Sequence, residues 1–138
     1  MTKPLNLESL DQHADRTAIP AYDRSALSAG IFHFGVGNFH RAHQAVYLHE
    51  LFNKGRDLDW AIVGAGVMPS DTKMREVLAG QDFLTTVIDQ EADASAATIT
   101  GAMIDMIAPP DYAGMIERLA DPAIRIVSLT VTEGGYFI

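Results

Sequence analysis

The sequence predicts an α/β fold: a mostly parallel sheet flanked by helices, with one antiparallel hairpin at about residues 83–104. Three observations lead there. Short apolar runs alternate with segments of helical spacing from residue 30 to residue 131. The run Ile31-Phe32-His33-Phe34 passes through Gly35-Val36-Gly37 into a helical segment and then a second apolar run, which makes a β-α-β unit. The polar loop Asp89–Ala96 is too short for a parallel crossover, which usually takes a dozen residues or more, so the strands it joins should be antiparallel.

The elements follow in order. Residues 1–29, with Pro4, Pro20 and many polar side chains, predict an arm laid over the domain, with a short helix at Leu5–Gln12. Residues 30–138 form the domain proper. Its first strand, Gly30–Gly35, does not alternate cleanly, which suits a strand covered on both faces. A helix over Phe39–Asn53 is closed by Gly55. It carries two apolar stripes, Phe39/Ala42/Val46 and Ala45/Leu48/Phe52. At 100° per residue they lie about 120° apart, so one can face the sheet and the other a further helix or domain.

Trp60–Val67 is the second strand, ending at Gly64-Ala65-Gly66. Asp71 reads as the N-cap of a short helix with Met74, Val77 and Leu78 as its apolar residues and Gly80 as its stop. Phe83–Ile88 and Thr98–Ile104 are the hairpin strands. Pro109-Pro110-Asp111 opens a helix with Tyr112, Met115, Ile116 and Leu119 on one face, and Pro122 ends it. Ile124–Val131 predicts a last buried strand. The chain then closes in Thr132-Glu133-Gly134-Gly135 and two aromatics. That apolar ending is expected of a chain cut just after a strand.

Composition narrows the function classes. A chain of 138 residues with 48% hydrophobic and 20% charged residues has enough material for a core. A net charge of -8 disfavours a nucleic-acid partner, because phosphate backbones need a basic face. Without cysteine there are no disulfides and no thiolate metal sites. No run approaches the roughly 18 apolar residues of a membrane helix, so a cytoplasmic protein without membrane contact is expected.

The candidate chemistry sits at the glycine turn. A phosphate-binding turn needs a sharp bend, a backbone free of Cβ beside the anion, and a helix starting there. Gly35 and Gly37 meet the first two needs, and the helix meets the third. The third glycine of the usual pattern would stand where His40 is, followed by Arg41. From the pattern alone, a nucleotide site and an ordinary structural turn stay equally open. Gly64-Ala65-Gly66 reads mainly as a strand end. Asp71, 34 residues beyond Gly37, is either a ribose-binding acid or simply a helix cap. His40 and His43 could share a helix face, but no further ligand spacing supports a metal. Glu133 follows the last strand, where α/β sheets place ligand sites, or it is an exposed turn carboxylate.

The stretches IFHFGVGNFHRAHQAVYLHEL, DWAIVGAGV, AGQDFLTT and IRIVSLTVTEGGY together resemble the N-terminal part of the polyol-specific long-chain dehydrogenases, of the mannitol 2-dehydrogenase type. The resemblance implies a Rossmann-like domain and NAD as cofactor. It implies that Gly35, Val36, Gly37, Phe39 and His40 line the pyrophosphate and nicotinamide region. Asp71 would sit by the adenosine ribose, and Thr132 and Glu133 would border the cofactor and the route to the active site. Members that strongly select NAD tend to carry a second acid just before Asp71. Ser70 stands there, so NADP stays possible.

The family transfers hydride between a secondary alcohol and the nicotinamide, with a lysine base in a helical C-terminal domain that this chain is expected to lack. Lys3, Lys54 and Lys73 match no family motif, so no catalytic residue is assigned. The expected activity is polyol-to-ketose oxidation by the full-length protein, with this chain alone inactive. Rival expectations are a hexuronate reductase of the same superfamily and a non-catalytic nucleotide-binding or interaction module.

Overall fold

The computed structural model describes residues 3–137. Its elements are β1 (Ala29–Phe34), α1 (Asn38–Ala42), α2 (Gln44–Asn53), β2 (Ala61–Ala65), α3 (Asp71–Ala79), β3 (Thr85–Gln90), β4 (Ser95–Thr100), β5 (Met103–Ile107), α4 (Tyr112–Leu119) and β6 (Ile126–Leu129). Four strands form a parallel sheet in the order β5-β2-β1-β6, and β3 and β4 form an antiparallel pair. This is the α/β architecture expected from the sequence.

The irregular hydrophobicity of β1 has a simple cause: alternate side chains enter two different cores. Ile31 points to the side of α2 and α3, where it packs with Ala45, Ile62, Leu78 and Met106. Phe32 points to the side of α4, with Val63, Ile107 and Met115. Phe32 is fully buried, which contributes about 1.5–3 kcal/mol. Of the two helical stripes, Ala45, Leu48 and Phe52 face the sheet. Phe39 and Ala42 stay exposed and Val46 is half-buried.

Several sequence expectations need correction. The helix expected over Phe39–Asn53 is two helices. His43 adopts φ -124°, ψ -81° between them, and its Nδ1 donates to the Phe39 carbonyl at 2.9 Å, which takes a helical acceptor out of the ladder. The strand expected from Phe83 begins only at Thr85. Asp82 and Phe83 are both left-handed (φ 51° and 59°), because the Phe83 amide closes the end of α3 onto Leu78 O at 2.7 Å. The strand expected over Thr98–Ile104 is the junction of β4 and β5. The chain leaves the hairpin at Gly101-Ala102 and joins the parallel sheet beside β2.

On α4 only Met115 and Leu119 pack inward, while Tyr112 and Ile116 are exposed. β6 is not buried. It is the edge of the sheet, and Ile126, Val127 and Leu129 are exposed.

Residues 3–28 run over the hairpin. Ala18 exchanges backbone hydrogen bonds with Ala97 and Ile99, and Leu10 packs on Leu84 and Ile99. A 3-10 turn at Leu10–His13 replaces the helix expected at Leu5–Gln12. A polar chain centred on buried His49 pins this segment. Asn53 Oδ1 accepts the Ala21 amide, so its Nδ2 donates to His49 Nε2. His49 Nδ1–H then donates to the Tyr22 hydroxyl, which also accepts the Gly101 amide. Burial pushes the Tyr22 hydroxyl up to about 12.

Candidate functional site

The parallel strands point their C-terminal ends toward one edge of the domain. The chain runs from β1 to its neighbour β2 on one side, and β6 returns to β1 on the other. β1 and β6 therefore flank the switch point, where open α/β sheets form a ligand crevice. A cleft of about 520 Å³ lies there, lined among others by His33, Phe39, His40, Thr130, Val131 and Tyr136. A second cleft of about 440 Å³ flanks α4. Its two arginines are already engaged: Arg118 pairs with Asp105 at 3.1 Å, and Arg75 Nε donates to Met106 O at 2.6 Å.

The glycine turn divides its labour. Gly35 has φ +87°, a left-handed conformation that favours glycine. Its amide donates to Ala65 O at 3.0 Å. Val36 is buried in the core, so only its backbone can meet a ligand. Gly64 on β2 makes room for it: a Cβ there would stand 2.4 Å from Val36 Cγ2. Gly37 has φ -92°, open to any residue, and a Cβ on it would meet nothing within 4 Å. Neither its backbone angles nor a neighbouring atom excludes a side chain at position 37, where the residue caps α1.

His40 is buried against β1. It is 1% exposed and stacks on His33, with ring centroids 3.8 Å apart and planes at 11°. Burial, then the His33 ring, pushes its pKa down to about 3, against a small opposing pull from the Gln44 side chain. Neither ring nitrogen has a partner of good hydrogen-bond geometry among the described residues. Phe39 lies exposed over the cleft and stacks on His43 at 4.4 Å.

Asp71 is the first residue of α3, not its cap. Its Oδ2 accepts the amides of Val67 (2.8 Å) and Met68 (2.9 Å), which folds the loop after β2 back on itself. Oδ1 has no hydrogen bond among the described residues. Gly66 permits this approach, since a Cβ there would meet Asp71 Cβ at 2.9 Å and Pro109 Cγ at 2.7 Å. The second glycine pair thus has packing work at both positions. Thr132 and Glu133 follow β6 and are exposed, Glu133 opening a short 3-10 turn to Tyr136. They lie next to the cleft in sequence but are not among its lining residues.

The structure adds a residue that sequence reasoning passed over. His33, buried within β1, bonds Ser128 Oγ at 2.8 Å, Thr130 Oγ1 at 3.1 Å and Gly35 O at 3.2 Å. The available signal was an imidazole inside an apolar strand, since a buried polar group needs partners. Among the described residues no group of three or more His, Asp or Glu could hold a metal ion. No helix there is long and apolar enough to cross a membrane.

Comparison with known proteins gives a consistent picture. The family model described as the mannitol dehydrogenase Rossmann domain matches residues 29–137. The mannitol 2-dehydrogenase of Cereibacter sphaeroides is 58% identical over 120 residues, covering 86% of this chain and 25% of that protein. That of Aspergillus niger is 45% identical over 139 residues, covering 96% of this chain and 28% of that protein. Among solved structures, the Pseudomonas fluorescens mannitol 2-dehydrogenase ternary complex with NAD and D-mannitol matches with a TM-score of 0.91 and 47% identity, over 97% of this chain and 28% of that one. A D-sorbitol dehydrogenase in substrate-free form matches with a TM-score of 0.86 and 38% identity, over 97% of this chain and 28% of that one. The chain spans about a quarter of the length of the relatives it matches.

Proposed function

This chain belongs to the mannitol dehydrogenase family through its Rossmann domain, and from that premise we propose that it binds NAD(H) at the Gly35-Val36-Gly37 turn. One observation carries the reading: the space beside Gly37 is empty, although its backbone would accept any residue. A glycine with open space at the start of a helix, just after a parallel strand, fits a ligand brought close to the backbone.

The residues present fit a dinucleotide. Gly35 sets the bend and Gly37 leaves the approach open. Asp71 Oδ1 is free to accept a ribose hydroxyl, and its charge opposes a 2′-phosphate. Ser70 adds no second charge, so the proposal is a preference for NAD rather than exclusion of NADP. The neutral His33–His40 stack gives the cleft an uncharged wall, suited to a flat neutral group. Phe39 offers an exposed aromatic face at the rim. Thr132 and Glu133 are proposed to border the cofactor at the mouth of the cleft.

NAD, when bound, supplies the hydride acceptor. The proposed reaction of the whole protein is transfer of hydride between a mannitol-like polyol and NAD, giving a ketose. The support is the solved relative named for NAD and D-mannitol, which matches 97% of this chain. Polyol binding and proton transfer are assigned to parts of the relatives beyond the matched quarter, so this chain alone is expected to turn over nothing. A cytoplasmic location belongs to the same proposal and rests on the charged N-terminal stretch and the lack of a membrane-length apolar run in the sequence.

Calorimetric titration of the chain with NADH, with NADPH as comparison, tests the binding half. Saturable one-to-one binding of NADH, tighter than NADPH and abolished by Gly37→Asp, is expected. Absence of NADH binding by the folded chain would overturn it.

A further inference from the structure

The glycine turn is held from below by a histidine. Gly35 O accepts the Gly37 amide at 2.9 Å and also faces His33 Nε2 at 3.2 Å. A carbonyl has no proton to give, so Nε2 carries the hydrogen. Nδ1 is then the acceptor of the neutral ring and takes the Ser128 hydroxyl at 2.8 Å. Thr130 Oγ1, 3.1 Å from Nε2, shares the same N–H. His40 covers the ring face, which shields these bonds from water.

Each partner stands at the mouth of the crevice. His33 is in β1, two residues before Gly35. Ser128 is in β6, directly opposite His33 in the parallel register. Thr130 follows β6, and its amide donates to Phe34 O at 3.2 Å. Gly35 is thus tied to β2 by its own amide and to β6 through the His33 ring. A glycine at φ +87° has wide freedom of its own, so these ties set where Gly37 points.

We propose that His33 is a positioning residue of the dinucleotide turn: its Nε2–H, in the tautomer that the Gly35 carbonyl requires and the Ser128 hydroxyl supports by donating to Nδ1, fixes that carbonyl and thereby presets the Gly37 backbone for the cofactor. The proposal rests on the NAD(H) reading of the turn. It gives Ser128, an edge-strand residue that also lines the cleft, a part in cofactor affinity through the histidine, which the double variant separates from a direct contact. Preorganisation of this kind improves affinity without a new ligand contact.

Four measurements on the full chain test it. Long-range ¹H–¹⁵N spectra of the His33 ring should show the Nε2–H tautomer in the wild type, and in Ser128→Ala an Nδ1 resonance moved toward that of an imidazole nitrogen without a hydrogen bond. Ser128→Ala should weaken NADH binding roughly three- to tenfold while the thermal midpoint stays near wild type. His33→Phe, which keeps a stackable ring, should weaken it at least as much. In the double variant Ser128→Ala should then cost nothing further, because its effect passes through the histidine.

A His33 ring protonated on Nδ1 would overturn the proposal. So would unchanged affinity in both single variants, or losses that simply multiply in the double. Should His33→Phe fail to fold, Ser128→Ala alone decides between the outcomes. Should the wild type bind no NADH, the cofactor reading fails, and amide exchange in the free chain decides the latch instead. Exchange at Gly35 and Gly37 should speed up in Ser128→Ala, and no change there would sink it.

Discussion

Replacing Gly37 with alanine separates what the fold needs from what a ligand needs. At φ -92° the backbone of residue 37 suits any side chain, and a Cβ would touch nothing within 4 Å. Two small effects act on the free chain. Removing a glycine from the unfolded state stabilises by about 0.4–1 kcal/mol. Losing glycine at a helix N-cap costs about 0.5–1 kcal/mol. They offset, and the thermal midpoint should stay within about 2 °C of wild type. Gly35→Ala is the control. No neighbour lies closer than 3.9 Å to its Cβ, but φ is +87°. The strain of about 1–2 kcal/mol should lower the midpoint by about 2–8 °C.

The ligand sees the reverse order of importance. A methyl group in the space beside Gly37 should weaken NADH by tenfold or more, at least about 1.4 kcal/mol. Thermal melts followed by circular dichroism give the stabilities, and calorimetric titration gives the affinities. If Gly37→Ala melted as low as Gly35→Ala, or bound NADH as well as wild type, the empty space would have another explanation and the argument from it would fail.

Other substitutions probe the surrounding parts. Asp71→Asn keeps an acceptor for the Val67 and Met68 amides and removes the charge, so NADPH affinity relative to NADH should rise about tenfold with little loss of stability. Tyr22→Phe leaves the Gly101 amide and His49 Nδ1 without their shared acceptor; urea unfolding should show a loss of about 1–3 kcal/mol. His40 has a folded-state pKa of about 3 against an ordinary 6.5, so between those values the unfolded chain binds the extra proton. Stability should therefore fall as pH drops, with a contribution from His40 on the order of 2 kcal/mol between pH 7 and pH 5. His40→Gln should remove that part of the slope; His33 and His49, also lowered by burial, retain theirs.

What the sequence reveals depends on how local the cause is. The β1-turn-α1 unit is legible because an apolar run, two glycines and a helical spacing adjoin in thirteen residues. The break at His43 is not, since no proline or glycine marks it and a side-chain bond to Phe39 O makes it. The β4–β5 junction hides inside one apolar run, although Gly101 was a signal of a bend. Apolar residues in β6 suggested burial, but an edge strand and a central one share a pattern and differ only in neighbours. The His33–Ser128–Thr130 network joins positions some 95 residues apart, so only the parallel register brings it together. The burial of His40 was not legible, because its stack on His33 forms only when α1 folds back on β1.

The most direct test of the central claim is a titration of the ¹⁵N-labelled chain with NADH, followed by amide chemical shifts. Saturable changes centred on Gly35, Gly37, Phe39, His40 and Thr130, with a second group at Val67 and Met68 around Asp71, are the expected result. Shifts confined to the α4 cleft around Asp105 and Arg118, or none at saturating NADH, would contradict the assignment of the glycine turn as the cofactor site.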